Sequence, residues 1–417
     1  QWGVPAYQTR FSDGVIVDGI TPPSQLSTSF GYESNYSYTL ENLLNYHHTF
    51  AQKHDVSALL GYQEFYKNYY TVDAAKKGLI DESLNQFDEA TEMTSTKGAT
   101  QDYATRSVFG RVNYAYNSRY LFEANFRYDG SSRFHKDHRW GTFWSIGGNW
   151  RISKEAFMED VKWIDNLSLK LSYGQQGNDN ILNSDKTSNY YLWQSLYDLD
   201  WPNSNQIGGM VSSLENQVVS WEKNGNLNVG VEATFLGSRL SVNAEYYNRK
   251  TVDMLLSYPM ATSTGFNGYN ANVGDMRNSG FEFEIRGTAI RTDDFVWNIS
   301  WMGSTVKNKV LKLTNTAPEI IKGVYSIKEG MPINTFYMAK SAGVDPATGA
   351  QLYWVYDKDE NGNIINERIS DDYSKASTSK YYQGNRIPDL YGSIGTDFSY
   401  KGFDLSVLTS YSIGGKI

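Results

Sequence analysis

Residues 120–153 read YLFEANFRYDGSSRFHKDHRWGTFWSIGGNWRIS and contain two stretches of alternating apolar and polar residues. In its first part the apolar residues Phe122 and Phe126 alternate with the charged residues Glu123 and Arg127. Successive side chains of a β-strand point to opposite faces of the sheet, so this pattern predicts a strand with one apolar and one polar face. The alternation resumes after the basic, aromatic loop GSSRFHKDHRWG.

The same alternation recurs along the chain. Apolar residues occupy every second position in LSLKLSY (167–173), LNVGVEATF (227–235), LSVNAEYY (240–247) and FEFEIR (281–286). Strands of a soluble β-sandwich show this pattern too, so alternation alone leaves two architectures open.

Composition narrows the class of protein. The 417 residues are 15% aromatic, yet the mean hydropathy is −0.54, which favours aromatic side chains spread over a face rather than packed in a thick core. No apolar run approaches the roughly 18 residues of a transmembrane helix. Cysteine is absent, which excludes disulfides and thiol chemistry. A net charge of −8 argues against nucleic acid as a partner, and no nucleophile elbow, P-loop or zinc-protease motif suggests an enzyme.

The lengths of the connections distinguish the two architectures. Tight links alternate with longer ones, as expected if successive connections lie on opposite rims of an up-and-down sheet. Short turns on one rim and long loops on the other are typical of outer-membrane barrels. The tight links are NSR (117–119), LGSR (236–239), RTDD (291–294) and YKG (400–402), and the long ones are near 67–103, 174–217, 250–278, 306–332 and 357–389. The segment GVDPATG (343–349) is taken as a further link between barrel strands.

We therefore predict an all-β fold, a transmembrane antiparallel up-and-down β-barrel with short periplasmic turns and long extracellular loops. Strands of about 10 residues cross a bilayer when tilted, and closure satisfies every backbone group in lipid. About 14–15 strands are expected in 1–417. Because single-chain bacterial barrels have an even number of strands, we expect more strands beyond Ile417 and other material before Gln1. One connection, ISKEAFMEDVKWIDN (152–166), has helical spacing and is predicted to be helical.

Several segments carry a family resemblance, in order and over nearly the whole chain. They include RYLFEANFRYDGSSRF (119–134), RWGTFWSIGGNWRISKEAFM (139–158), LSLKLSYGQQGN (167–178) and TGFNGYNANVGDMRNSGFEFEI (264–285). In these segments the sequence resembles the SusC/RagA family, the TonB-dependent outer-membrane transporters of Bacteroidetes.

The resemblance implies a barrel of about 22 strands, of which 1–417 is a part without the plug domain and the last strands. It implies active import of large nutrients, either oligosaccharides or peptides, across the cell outer membrane. The implied partners are a SusD-like surface lipoprotein and the TonB–ExbB–ExbD complex, reached through the plug. The alternative is a passive porin or a surface barrel that only binds its ligand.

Aromatic residues cluster in two of the long loops, where they neighbour amides and carboxylates. Such clusters suit the apolar faces of sugar rings or peptides. The alternative is that they pack the loops on one another, on a partner lipoprotein or at the membrane interface. The candidate substrate-binding residues are Tyr190, Tyr191, Trp193, Trp201, Tyr381 and Tyr382.

Charged residues on the polar strand faces are candidates for the wall of the lumen. A barrel of some 22 strands is too wide for side chains to fill, so its inner wall contacts water, a plug or a substrate. We predict that Glu123, Arg127, Glu232 and Glu284 face the lumen. The alternative is that each is simply a solvated position on a strand.

One acidic loop resembles half of a calcium site. Asp357, Asp359, Asn361 and Asn363 alternate as oxygen ligands do in a calcium loop. The twelfth position is Arg368, where a bidentate Glu would be needed, so the loop is not an EF-hand. An acidic turn explains the same residues. A structural calcium ion and an acidic turn without metal are therefore the two interpretations of this loop, and no other cofactor is expected.

Overall fold

The computed structural model describes residues 6–12, 26–79, 81, 83–84, 86–182, 188–199, 206, 208–266, 268–314, 318–360 and 363–416. Within them lie one short helix, α1 (Tyr373–Thr378), and the following strands: β1 (Ala6–Ser12), β2 (Leu26–Phe50), β3 (His54–Leu79), β4 (Ala90–Tyr116), β5 (Tyr120–Ser131), β6 (Trp140–Arg151), β7 (Ile164–Asn178), β8 (Leu196–Asp198), β9 (Met210–Ser213), β10 (Glu222–Phe235), β11 (Leu240–Val252), β12 (Leu255–Pro259), β13 (Gly268–Asn272), β14 (Asp275–Arg291), β15 (Phe295–Thr305), β16 (Lys307–Lys312), β17 (Glu319–Lys322), β18 (Tyr325–Lys328), β19 (Thr335–Val344), β20 (Gln351–Lys358), β21 (Ile364–Ser370), β22 (Lys380–Tyr382), β23 (Leu390–Tyr400) and β24 (Phe403–Ile413). No helix in this described part is long and apolar enough to span a membrane.

One antiparallel sheet of 14 strands forms the body of the molecule, which agrees with the 14–15 strands predicted. Its order is β1-β2-β3-β4-β5-β6-β7-β10-β11-β14-β15-β23-β24, with β16 continuing beyond β15 along the far end of β14. Each long strand pairs with its neighbour in the chain, as in an up-and-down barrel wall. In the described residues β1 and β24 do not pair with each other, so the sheet is an open part of a barrel.

The two rims of the sheet differ as predicted. The strand order places the turns at 51–53, 117–119, 236–239, 292–294 and 401–402 on one rim. The long connections lie on the other rim, so Gly237 and Thr264 are on opposite sides. In the 117–119 turn Asn117 and Ser118 both have φ of 52°. Left-handed backbone at the centre of a tight hairpin matches the twist of the flanking strands.

Two predictions about the long-loop rim were wrong. The region 67–103 is not a loop, because β3 and β4 have 26 and 27 residues and pair along nearly their whole length. A crossing needs only about 9–11 residues, so this hairpin continues well past the membrane, and its ladder satisfies the backbone there. The turn 343–349 does not join barrel strands either. It lies within a small sheet formed by β17 to β22, which is separate from the wall.

The strand register confirms that the wall has one apolar and one polar face. Phe126 stands beside Trp144 on one neighbouring strand and is 51% exposed. A continuous band of exposed apolar side chains across many strands is rare in soluble monomers, so this face is the surface that contacts lipid. A soluble β-sandwich, which would bury this face, is therefore excluded. This outer apolar band includes Leu60, Val112, Phe122, Phe126, Trp144, Ile146, Leu169, Leu171, Val229, Val231, Trp301, Ile394 and Val407.

Two buried hydrophobic clusters lie where the long loops pack, and a third, of Leu26, Leu79 and Ala90, lies at the ends of β2, β3 and β4. One cluster joins the 132–139 loop to the loop after β7 and contains Phe134, Phe143, Leu192, Val219, Trp221 and Leu255. A second joins the β12–β13 hairpin to the small sheet and contains Val273, Val310, Leu313, Ile320 and Ile327. The long loops therefore form folded layers with cores of their own.

The segment 152–166 is not the predicted helix. It contains two 3-10 turns, Ile152–Lys154 and Ala156–Met158, separated by Glu155 in extended conformation. The Glu155 carboxylate accepts hydrogen bonds from Arg119 Nη1 (3.0 Å), Tyr120 Oη (2.7 Å) and Trp150 Nε1 (2.8 Å). Bonds to neighbouring strands thus override the local helical spacing and attach this link to the short-turn rim.

An arginine on the apolar band should cost far more than one on the polar face. For Val229→Arg, in the middle of β10, we expect a loss of about 2–4 kcal/mol in the free energy of unfolding in lipid. The matched control is Asn243→Arg, whose neighbours across both adjacent strands are Glu232 and Glu284. Reversible urea unfolding of the full-length protein in vesicles measures both. Equal losses for the two variants would contradict the assignment of faces.

The Glu155 cluster should weaken in acid. Hydrogen bonds from Tyr120 and Trp150, with the Arg119 charge beside them, hold the pKa of Glu155 below its ordinary value. A lowered pKa contributes stability above the unfolded pKa, and that stability is lost as the pH falls through the folded pKa. We expect Glu155→Ala to lower the urea midpoint at pH 7 and to flatten its decline between pH 5 and pH 3. The exposed Glu159→Ala on the same link is the control, and identical profiles for the two variants would count against the cluster.

Candidate functional site: the polar wall and the loop layer

The polar face of the wall carries a ladder of charged side chains. Arg127 donates from Nε to both carboxylate oxygens of Asp129 (2.7 and 2.8 Å) and from Nη2 to Gln63 and Ser107 (3.0 and 2.8 Å). Farther along the sheet Lys170 pairs with Glu232, and Arg286 pairs with Glu284. Partly exposed pairs of this kind contribute little stability individually, so their main effect is to make this face wet and charged.

The structure places Glu123, Arg127, Glu232 and Glu284 on the same polar face, opposite the apolar band. The spacing of two along each strand brings them to one surface, as the sequence pattern indicated. That this surface lines a transport lumen remains a prediction.

A buried ionic network anchors the loops to the wall, and sequence reasoning missed it. Arg133 is only 5% exposed. Its Nη1 donates to Asp179 Oδ1 (3.2 Å) and Asn180 Oδ1 (2.9 Å). Asp179 Oδ2 also accepts from Tyr103 Oη (2.8 Å) and Ser131 Oγ (2.6 Å). The network joins β4, the 132–139 loop and the start of the 179–221 loop. The available signal was the arginine next to an aromatic residue in GSSRF, within the basic, aromatic loop.

Two of the candidate aromatic residues, Tyr190 and Tyr191, pack beside this network. The Tyr190 ring lies 5.7 Å from that of Tyr103, and the Arg133 guanidinium lies over both rings. Tyr191 Oη accepts from the Asp102 backbone N–H (3.2 Å).

Trp193 packs against the Phe134 cluster, edge-on to His135 at 5.1 Å. The contacts of Tyr190, Tyr191 and Trp193 thus support loop packing, the alternative kept open above. Trp201 lies outside the described residues.

The other two aromatic candidates lie in the small sheet. Tyr381 donates to Glu367 (2.8 Å) and packs edge-on against Tyr356. Tyr382 donates to Glu319 (2.7 Å) and accepts from Lys328 Nζ (2.8 Å). Burial, together with the hydrogen bond to the glutamate, raises the pKa of each phenol, so both stay neutral donors at physiological pH. Whether either residue binds substrate remains a prediction.

The acidic turn after β20 has partners within the chain. Asp357 pairs with Arg368, whose hydrogen bond lowers the pKa of that carboxyl. Asp359 accepts from the Asn363 backbone N–H (2.7 Å) and from the Asn363 side-chain amide (3.1 Å). Asn361 lies outside the described residues, and the described ones contain no group of three or more acidic or histidine residues placed to hold a metal ion. A calcium ion would have to compete with Arg368, and its binding remains a prediction.

The exposed part of the loop layer includes the hairpin of β8 and β9. Tyr197 on this hairpin is 64% exposed, and Leu199 and Met210 beside it are also exposed. Unlike the packed aromatic residues near the wall, these side chains on the hairpin form an apolar surface that is exposed to solvent.

An open sheet of long antiparallel strands, with an apolar band on one face, a polar opposite face and folded loops on one rim, defines an outer-membrane β-barrel. A family model described as "TonB dependent receptor-like, beta-barrel" matches residues 2–416. The chain belongs to this family, and it is a protein of the cell outer membrane.

Relatives of known sequence agree with this assignment. The chain is 33% identical over 319 residues to the TonB-dependent receptor SusC of Bacteroides thetaiotaomicron, covering 73% of this chain and 31% of SusC. It is 29% identical to the TonB-dependent receptor P39 of Formosa agariphila, covering 92% of this chain and 40% of the relative. The chain therefore spans less than half the length of these relatives.

Solved structures give the same result at the level of the fold. A structure described as the RagAB peptide transporter superposes with a TM-score of 0.82 at 27% identity, covering 93% of this chain and 42% of that one. The RagAB peptide importer in its closed-closed state superposes with a TM-score of 0.83 at 26% identity. These relatives are transporters or receptors rather than enzymes.

Removing the Arg133 guanidinium should detach the loop after β7 from the sheet without unfolding the barrel. We expect Arg133→Ala to leave Asp179 buried and unpaired, which costs about 3–5 kcal/mol in comparable networks. The variant should become sensitive to protease in 188–199 while keeping the heat-modifiable gel mobility of a folded barrel. Lys136→Ala, an exposed cation on the same loop, is the control. Protease resistance equal to that of the control would show that the network does not hold the loop.

Proposed function

We propose that this chain supplies the wall and the extracellular loop layer of an active importer for large nutrients, oligosaccharides or peptides. The importer is energised by TonB–ExbB–ExbD through a plug domain and works with a SusD-like lipoprotein as its lid. No covalent bond is made or broken by the chain.

The observation that carries the proposal is the asymmetry of the two rims. Tight turns on one rim offer no recognition surface, whereas the other rim bears two loop layers with buried cores. The polar face of the sheet runs between the two rims. The family assignment and the likeness to a structure described as a peptide transporter support import as the use of this arrangement.

The proposed lid is a surface lipoprotein that meets the loop rim. The loop layer is folded and anchored, and its outer surface carries the apolar β8–β9 hairpin. Such a surface suits a protein partner better than free solvent. The cargo class stays at oligosaccharide or peptide, because aromatic rings beside amides suit both.

Energised uptake distinguishes the importer from a passive porin or a surface barrel that only binds. The gene encoding the full-length protein is deleted in its host and then restored, and uptake of labelled oligosaccharide and peptide mixtures is measured. We expect uptake that needs the gene and stops when the proton gradient is collapsed. Gene-dependent uptake that survives collapse would indicate a porin, and binding without uptake would indicate a surface receptor. Recovery of a lipoprotein with the affinity-tagged barrel tests the lid.

Exposed and packed aromatic residues should behave differently. We expect Tyr197→Ala to weaken cargo capture or lid association about two- to twelvefold, because one stacked ring contributes about 0.5–1.5 kcal/mol. The protease resistance of the loop should not change. Trp193→Ala should lower both the binding of cargo or lid and the protease resistance of the loop, since its ring packs on the buried Phe134 cluster. Ligand binding to the purified complex and limited proteolysis measure the two effects. Unchanged capture in Tyr197→Ala would move recognition off this hairpin.

A further inference from the structure

The lipid-facing side of the wall has a row of aromatic rings near the short-turn rim. Tyr116, Tyr120 and Trp150 are paired neighbours on β4, β5 and β6, and they share a face with Val112 and Phe122. Aromatic girdles mark the boundaries between the hydrocarbon and the headgroups of a bilayer. Because a strand crosses the hydrocarbon in about 9–11 residues, the second boundary is expected about ten residues farther along each of these strands.

The second boundary falls at Arg106, Gly130 and Trp140, which are again paired neighbours on the same three strands and the same face. The Trp140 ring stacks on that of Tyr128, with the ring centroids 4.8 Å apart and an interplanar angle of 9°. A Cβ atom on Gly130 would lie 2.9 Å from the Trp140 ring, so the glycine lets this ring lie close against β5. The stacked rings are the aromatic girdle expected at the outer leaflet.

A small cavity of about 200 Å³ lies beside these rings. Its lining includes Arg106, Gly130 and Trp140 from the strands, Glu64 from β3, and Arg139 from the end of the hairpin loop. Two arginines and one glutamate make this lining positive overall. At about 30 Å³ for each water molecule, the cavity has the volume of several waters, which is enough for a phosphate group.

The two arginines have hydrogen-bond donors that are not used within the chain. Arg106 contacts Glu64 through Nη2 alone, at 3.3 Å, and its side chain is 58% exposed. Glu64 also accepts from Tyr62 Oη at 2.8 Å and from Tyr38 Oη at 3.5 Å. Arg139 forms no ion pair with any carboxylate in the part of the chain that the structure describes. Since a guanidinium has five N–H donors, both arginines can bind an anion.

Beyond the two arginines the same face carries exposed tyrosines. The strands β2, β3 and β4 continue past the membrane, and Tyr36, Tyr66 and Tyr70 lie on their outer side. Tyr36 and Tyr70 are exposed, and Tyr66 donates to Asp102 Oδ1 at 2.7 Å. Aromatic rings beside carboxylates suit the apolar faces of sugars. Along the strands, the outer face therefore changes from an apolar band to arginines and then to tyrosines.

We propose that this cavity, here called the girdle pocket, binds the phosphate group of a glycolipid in the outer leaflet. Acyl chains, phosphate and sugars follow one another in such a lipid in the same order as the apolar band, the arginines and the tyrosines on this face. The apolar band already contacts lipid, and it is continuous with the girdle pocket through Val108 and Tyr128. Arg106 and Arg139 bind the phosphate, and the sugars lie along the tyrosines. The proposal depends on the outer-membrane location of the chain and not on its cargo.

The test uses the full-length protein, purified in detergent and titrated with monophosphorylated lipid A, with the bound lipid counted by native mass spectrometry. The main variant is Arg106→Gln/Arg139→Gln, which removes both positive charges. The matched control is Arg111→Gln on the same strand, whose guanidinium is on the polar face and donates from Nε to Asn125. Heat-modifiable gel mobility confirms that each variant is folded.

We expect the unmodified protein to bind the phosphorylated lipid about tenfold more tightly than its dephosphorylated counterpart. The double variant should lose this preference, and Arg111→Gln should keep it. Glu64→Gln should strengthen binding of the phosphorylated lipid about threefold, because it removes the carboxylate that competes for Arg106 and keeps an oxygen for Tyr62. This gain of binding tests the girdle pocket even if the double variant does not fold.

Two further ligands distinguish the sources of the phosphate. Phosphatidylglycerol, which lacks the sugars, should bind about fivefold more weakly than the glycolipid, and inorganic phosphate alone should not displace the glycolipid. Equal binding of the phosphorylated and dephosphorylated lipids would overturn the proposal, as would a preference that neither the double variant nor Glu64→Gln changes. Phosphatidylglycerol bound as tightly as the glycolipid, or displacement by inorganic phosphate, would show a general anion site and overturn the glycolipid as the occupant.

Discussion

The whole structure depends on a single β-sheet that has lipid on one face and a polar environment on the other. Backbone N–H and C=O groups in hydrocarbon must bond within the wall, and only the ladder between neighbouring strands does this. Successive side chains therefore alternate between the two faces, so each strand presents apolar residues to lipid and polar residues on the opposite face. The position opposite Phe122 on β6 is Gly148, while Glu123 faces Gly147 on the other side. The adjacent glycines leave room on both faces at this point.

The rims are attached to the wall by ionic groups with several hydrogen bonds each. On the loop rim, Arg133 and Asp179 hold the start of a long loop against β4 and β5. On the turn rim, Glu155 holds the link after β6. Both carboxylates accept from groups on neighbouring strands, so each fixes a connection to the ladder. These bonds attach the loop layer and the 152–163 link to the strands of the wall.

The sequence was sufficient to predict the strands, their apolar and polar faces, and the placement of short turns and long loops on opposite rims. Alternation with a period of two and the lengths of the connections are local properties that can be read directly. The sequence was insufficient where contacts between residues far apart in the chain determine the structure. The 67–103 region contains polar and charged residues typical of loops, yet β3 and β4 continue to pair there, from Lys67 opposite Tyr103 to Leu79 opposite Ala90. The helical spacing of 152–166 was overridden by the tertiary bonds of Glu155. The role of Arg133 was not predicted, since nothing local shows that Asp179, 46 residues away, accepts from it.

The assignment of the two faces is tested most directly by a scan of lipid contact along β5. The chain contains no cysteine, so single cysteines can be placed at each position from 121 to 128 in a full-length background free of other cysteines. Each is spin-labelled in vesicles, and its exposure to oxygen and to a water-soluble nickel chelate is measured. Oxygen exposure should peak at 122, 124, 126 and 128, and chelate exposure at the positions between them. A profile without alternation, or with the opposite phase, would contradict the two-faced wall.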